Sequence, residues 1–399
     1  MIKVILQTLA KGQDRVQRRN FLKTASKVIG SAALSAPLIS GCSQTPINHR
    51  PIANRTAKRL YIDGLSFVPS DLADIKASEL NGYIADISAI EAITQADGTV
   101  NYKRTYQACM NSIKQHVEQL NSAKHLVKIA TSGADLQHAI EHKKCAVFLQ
   151  IQGADCVEGG LHQVDEFHQL GLRVLQLTHH YNNKYAGGAL SLDNAPLSKD
   201  GIALIEKLQS KNMLIDLSHS SVATAEHTLA LAQKPVVQSH GAARAIVNNA
   251  RCSPDHIIKG IADSGGVFGV FMMSWWLTNE PIPRPEHYIN HLKHLKNIAG
   301  SDVVAIANDY PLRGHEKALA AGNNNQVAID GYQQWWQQMG KRGVLGFDKD
   351  TQHIVIPELN HIKRMRTIEF LLSRAGFTNR EIDKAMGENW QRVLTEVIL

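Results

Sequence analysis

The residues of this chain best suited to chemistry sit where apolar runs end. In "MLIDLSHSS" a strand-like run meets polar sequence at His219, and in "PVVQSHGAA" the same happens at His240. "DVVAIAND" closes on Asp309, "RVLQLTH" on His179, and "CAVFLQIQG" carries Gln152 near its end. A lone strand-end histidine is more often a hydrogen-bonded packing residue than a ligand. Two of them on neighbouring strands, with a carboxylate at a third strand end, match the imidazole and carboxylate donors that suit Zn²⁺. His179 adds a donor fit to stabilise an oxyanion, and Arg251 a guanidinium fork fit to clamp a carboxylate. The chemistry such a set implies is metal-assisted hydrolysis.

These side chains need a scaffold that brings strand ends together. From Arg59 onward short β-branched runs such as "RLYIDGLSF", "GYIADIS", "HLVKIA" and "GVFGVFM" alternate with amphipathic stretches such as "LSKDGIALIEKLQSKN". That rhythm predicts an α/β fold with a parallel sheet flanked by helices. Polar residues at successive strand ends favour a (β/α)8 TIM-like barrel, whose strand C-termini converge on one mouth. No G-x-G-x-x-G follows the first strand, so an open dinucleotide-binding sheet is the weaker reading. The stretch after Asp309, with Trp335 and Trp336, has weak periodicity and is expected to pass over the mouth. Two helices are expected at the C-terminus, the second capped by Thr378.

The formal charge of +7 is concentrated at the start, where seven Lys and Arg stand against Asp14 within residues 1–42. No basic stripe with interleaved aromatics follows, which argues against nucleic acid. "RRNFLK", an apolar stretch too short to span a membrane and "LISGC" together resemble a twin-arginine lipoprotein signal. This predicts export to the periplasm, with lipid on Cys42 as the sole membrane contact. Residues 43–57 read as a polar linker, and residues 58–399 as a single domain. Cys109, Cys145, Cys156 and Cys252 show no metal-module spacing, leaving disulfides and buried thiols both open. The histidines of "HVEQLNSAKH" and "HYINHLKHLK" read as solvated helix faces.

"QLTHHYNN", "NMLIDLSHSS", "PVVQSHGAARAI", "NNARCSPDHIIKGIADSGG", "AIAND" and "GENWQRV" resemble, in order and spacing, the membrane (renal) dipeptidase family of zinc peptidases. The resemblance implies an amidohydrolase-like barrel with two zinc ions that hydrolyses a dipeptide, and extends to pairing as a homodimer. It places His219 and His240 as metal ligands, Asp309 as the carboxylate acting on protons beside the metal, His179 as stabiliser of the tetrahedral intermediate and Arg251 as clamp on the substrate carboxylate. The family opens its first strand with Asp-Gly-His-x-Asp. Here "DGLSF" puts Leu65 and Phe67 at the ligand positions, and Gln152 replaces the bridging glutamate. Asp63 survives, and strict alternation would set it on the same face as Leu65 and Phe67.

With those carboxylates gone, two buried dications would lack compensating charge. One zinc is therefore expected rather than two, held by His219, His240 and Asp309, with the Gln152 carbonyl as a weak fourth ligand. Asp155 and Glu158 are the candidates for replacement carboxylates. The expectation is an exported dipeptidase-like metallohydrolase with a degenerate metal centre. The alternative is an inactive envelope lipoprotein without metal that binds a peptide or cell-wall fragment.

Overall fold

The apolar runs become parallel strands. The computed structural model describes residues 59–94 and 100–399; the expected signal, Cys42 and the expected linker lie outside the described residues. The strands are β1 (Ile62–Phe67), β2 (Gly82–Asp86), β3 (Glu91–Thr94), β4 (Val100–Lys103), β5 (Val127–Ile129), β6 (Cys145–Gln152), β7 (Leu172–Gln176), β8 (Leu214–Asp216), β9 (Gln238–Gly241), β10 (Phe268–Val270) and β11 (Val304–Ile306). One parallel sheet runs β1-β2-β6-β7-β8 with β5 also on β6, a second runs β9-β10-β11, and β3 with β4 forms an antiparallel hairpin. A bridge from Asp216 to Val237 links β8 to the residues entering β9. At the other side, the Asp309 N–H reaches the Leu65 carbonyl at 2.9 Å.

Helices begin where the sequence supplies caps. Thr105, Ser132, Ser198 and Ser221 each accept a hydrogen bond from the third residue of the helix that follows, satisfying an otherwise orphaned N–H. Thr378 does the same and forms a capping box with Glu381. The last helix, Asn389–Val397, follows a single π turn.

One core cluster takes a residue from each of eight parallel strands or the residue just before it: Ile62, Ile84, Phe148, Val174, Leu214, Val237, Val267 and Ala305. It is completed by Trp390, Val393 and Leu394 of the final helix. These residues lie near the strand starts, so the strand ends are left for polar groups. Alternation carries the interior face from Phe148 to Gln150 and Gln152 on β6, and from Leu214 to Asp216 on β8.

In β1 the strict alternation fails. Asp63 pairs with Tyr83, but Ser66 pairs with Ala85 and Phe67 with Asp86, so one extra residue is accommodated between Asp63 and Ser66. Tyr83 and Asp86 are an odd number of positions apart and face opposite ways. Asp63 and Phe67 therefore do too, contrary to the expectation from spacing. Phe67 shares the face of Asp86. Asp63 is fully buried, and accepts from the backbone N–H groups of Leu65 at 3.1 Å and Asn308 at 2.8 Å. It ties β1 to the chain leaving β11.

Candidate functional site

The site is built on the carboxylate of Asp216. Asp216 accepts from the Ser218 N–H at 2.9 Å, the Ser218 hydroxyl at 2.7 Å, the Ser239 N–H at 2.8 Å, the Ser239 hydroxyl at 2.5 Å and the Gln150 amide at 2.5 Å. Buried and saturated, it fixes the turns after β8 and through β9, the two that carry His219 and His240. The Nε2 atoms of these rings stand 2.9 Å apart. Nδ1 of His240 lies 2.8 Å from the Ser239 hydroxyl, and Nδ1 of His219 lies 3.0 Å from Nδ1 of His180. His179 stacks on His219 with ring centroids 4.2 Å apart. His179, His180 and His219 each bring a ligand atom within 4.8 Å of the others.

His180 is the residue sequence reasoning missed. The doublet "HH" was a visible signal, but only the turn's geometry shows that both rings enter the cluster. His180, His219 and Asp309 all have left-handed backbones, with φ of 68°, 65° and 54°. Such conformations are uncommon for non-glycine residues and concentrate at functional sites. Burial, then the nearby guanidinium of Arg104 or Arg251, holds all four histidines well below the usual imidazole range. They are neutral at neutral pH, as metal ligation requires.

Arg251 is buried against the same cluster. Its Nη2 donates to the His240 carbonyl at 3.3 Å, its guanidinium lies over Phe271 and Trp276, and its Nε is buried without a partner. Burial lowers its pKa to about 10, against the opposing charge of Asp309, so it stays charged. Asp309 is pushed up to about 7 by burial, with Arg251 pulling the other way.

The three altered positions lie on β1 and β6, the two strands that flank β2. Leu65 is fully buried, Phe67 lies beside Asp86, and the Gln152 amide donates to Asp86 Oδ2 at 2.8 Å. Asp86 also accepts from the N–H and hydroxyl of Ser88. Asp86 was overlooked in the sequence, although "GYIAD" ends on a polar residue as the other runs do. The buried Arg104, whose Nε has no hydrogen-bond partner, is held below the usual guanidinium range by burial, against the opposing charges of Asp86 and of Asp155 in the turn after β6. Glu158 stands at the end of that turn.

The excursion after Asp309 forms the helices Glu316–Ala320, Asn325–Ile329 and Gln333–Lys341. Trp335 from the last lies 5.4 Å from the His180 ring, and Trp275 packs on Tyr332, Trp335 and Trp336. Both tryptophan pairs thus belong to the wall above the histidines. The "HYINHLKHLK" face is not solvated as the pattern suggested. His287 and His291 are buried, and His291 accepts from the Ala243 N–H at 3.0 Å, a packing role. Cys109, Cys145, Cys156 and Cys252 are buried and free.

Comparisons with known proteins bear on the family and the fold. Residues 33–323 match the family model for membrane dipeptidase, peptidase family M19. Dipeptidase verJ of Clonostachys rogersoniana is 28% identical over 184 residues, covering 46% of this chain and 47% of that protein. The chain thus matches about half the length of that curated relative. An amidohydrolase from Pseudomonas aeruginosa shares the fold with a TM-score of 0.68 at 23% identity, over 85% of this chain and 96% of its own. A metallo peptidase from Rhodobacter sphaeroides, liganded with a phosphinate mimic of L-Ala-D-Ala, gives 0.67 at 16% identity, over 85% of this chain and 100% of its own. On the family match over most of its length, this chain belongs to the membrane dipeptidase family.

Proposed function

We propose that this chain is an exported, lipid-anchored metallohydrolase that cleaves a dipeptide or related small amide at a centre of one zinc ion. The observation that carries the reading is the pair of Nε2 atoms of His219 and His240. Tetrahedral zinc with Zn–N bonds of 2.0–2.1 Å needs ligand nitrogens about 3.3 Å apart, and the 2.9 Å observed is within a small ring rotation of that. The residues fit one ion better than two. Leu65 and Phe67 offer no donor, and the Gln152 amide is committed to Asp86. Gln152 serves as ligand only through its carbonyl.

Bound zinc would acidify a water and polarise the scissile carbonyl. The chain's own groups do the rest. Arg251, charged and with an unused Nε–H, holds the substrate carboxylate. Neutral His179, stacked beside His219, donates to the oxygen on which negative charge develops. Asp309, its carboxyl pushed up to about 7 by burial in the metal-free chain, acts as the proton carrier for the leaving amine rather than as a ligand. The interior cluster drawn from eight strands supports a closed (β/α)8 barrel, with closure resting on the Asp216–Val237 bridge and the Asp309–Leu65 bond.

The loss of three ligand positions favours one competing reading, a metal-free lipoprotein that binds a peptide or cell-wall fragment. Metal analysis of the mature domain decides between them. About one zinc per chain, lost in His219→Ala and His240→Ala, with turnover of dipeptides, is the expected result. No metal after zinc reconstitution overturns the hydrolase. A lipidated Cys42 at the mature N-terminus tests the anchor.

A further inference from the structure

The hydrogen bonds around the histidines have a direction that can be worked out. Asp216 can only accept, so the hydroxyls of Ser218 and Ser239 spend their single hydrogens on it. Ser239 Oγ must then accept from His240, which puts the His240 proton on Nδ1 and a lone pair on Nε2. The 2.9 Å contact therefore has Nε2–H of His219 donating to His240. That leaves Nδ1 of His219 bare, and the 3.0 Å contact has Nδ1–H of His180 donating to it. Five residues form a single-sense chain from His180 to Asp216.

His240 thus already carries the tautomer a metal ligand needs, whereas His219 does not. To offer Nε2 to an ion, His219 must carry its proton on Nδ1, and Nδ1 of His180 must then accept. A carboxylate or carbonyl could serve only the second state. Imidazole serves both, donating in one tautomer and accepting in the other. His180 is also held for the purpose, buried, left-handed at φ 68° and packed against Trp335.

We propose that His180 is the positioning residue of the metal centre, setting through its Nδ1 contact which nitrogen of His219 faces His240. This rests on the one-zinc reading above, but its first consequence is visible without metal. Partners of ligating histidines typically change metal affinity 10- to 100-fold.

The experiment is imidazole ¹⁵N spectroscopy on the full metal-free domain and its His180→Phe variant, followed by zinc competition and cobalt(II) absorption. The expected result is His219 as Nε2–H without metal and Nδ1–H with zinc. In His180→Phe the metal-free preference is lost and zinc affinity falls about 10- to 100-fold, with an unchanged cobalt spectrum once loaded. His180→Gln, whose amide can donate or accept, recovers most of the affinity; if the phenylalanine variant does not fold, the parent's nitrogen spectra decide, Nε2–H on His219 without metal and Nδ1–H with zinc supporting the proposal and one unchanged tautomer overturning it. Zinc affinity within twofold of the parent in both variants overturns the proposal. So does a cobalt spectrum showing one ligand fewer, which would make His180 a ligand. Should the parent bind no metal, the hydrolase reading falls by itself. The nitrogen spectra then decide the proposal: Nε2–H in the parent and mixed tautomers in the variant support it, and identical tautomers in both overturn it.

Discussion

The Gln152 amide nitrogen and Asp86 Oδ2 are joined by a 2.8 Å hydrogen bond between the ends of the neighbouring strands β6 and β2. A glutamate at position 152 would set two carboxylates against each other unless a cation or a proton lay between them. Gln152→Glu is therefore expected to destabilise the metal-free protein by about 1–3 kcal/mol. Added zinc should raise its melting temperature by more than it raises the parent's. Thermal melts with and without zinc check this, and equal zinc-induced shifts would show that position 152 does not reach the ion.

Asp309 sets a pH dependence of stability. Its folded pKa of about 7 lies above the ordinary value of 3.8, so the folded chain binds more protons between those limits. Stability from this group is then greatest below about pH 4, declines as pH rises to about 7, and is level beyond. Asp309→Asn should flatten that decline, most visibly by raising stability at pH 8 relative to the parent. Asp63, also pushed up to about 7, stays in the variant and leaves a residual slope. Urea unfolding at pH 5 and pH 8 measures both.

Gly64 has no room for a side chain. A Cβ there would lie 2.4 Å from the Trp390 ring and 2.6 Å from the Ser239 carbonyl. Gly64→Ala should cost about 1–3 kcal/mol by overpacking and disturb the turn that holds His240. Chemical denaturation gives the number, and a loss below about 0.5 kcal/mol would mean that Trp390 moves aside freely.

Trp335 covers His180, and its removal should open the cluster to solvent. In Trp335→Ala a chelator is expected to strip metal several times faster than from the parent at similar equilibrium affinity. An unchanged stripping rate would place the route of exchange elsewhere.

Much of this was legible in the chain itself. Strand-end histidines and Asp309 were singled out because apolar runs and polar stops are local patterns, and Arg251 because its stretch resembles the family's; the structure gathers His179, His219, His240 and Arg251 around one cluster. Phe67 and Asp63 were misread because a bulge shifts side chains by one step without leaving a mark in the residue types. His180 escaped because two adjacent histidines normally point apart, and only a left-handed residue lets both rings reach His219. The burial of His287 and His291 depends on which neighbour covers a helix, which the helix's own sequence does not record.

The left-handed backbones of His180, His219 and Asp309 bear on what this scaffold gives up. A left-handed non-glycine residue costs about 1–2 kcal/mol that glycine avoids. At these three places the most comfortable residue would be one with no side chain at all. A glycine at any of the three would relax the backbone and remove a polar side chain from the cluster, so stability and the site pull in opposite directions at these positions.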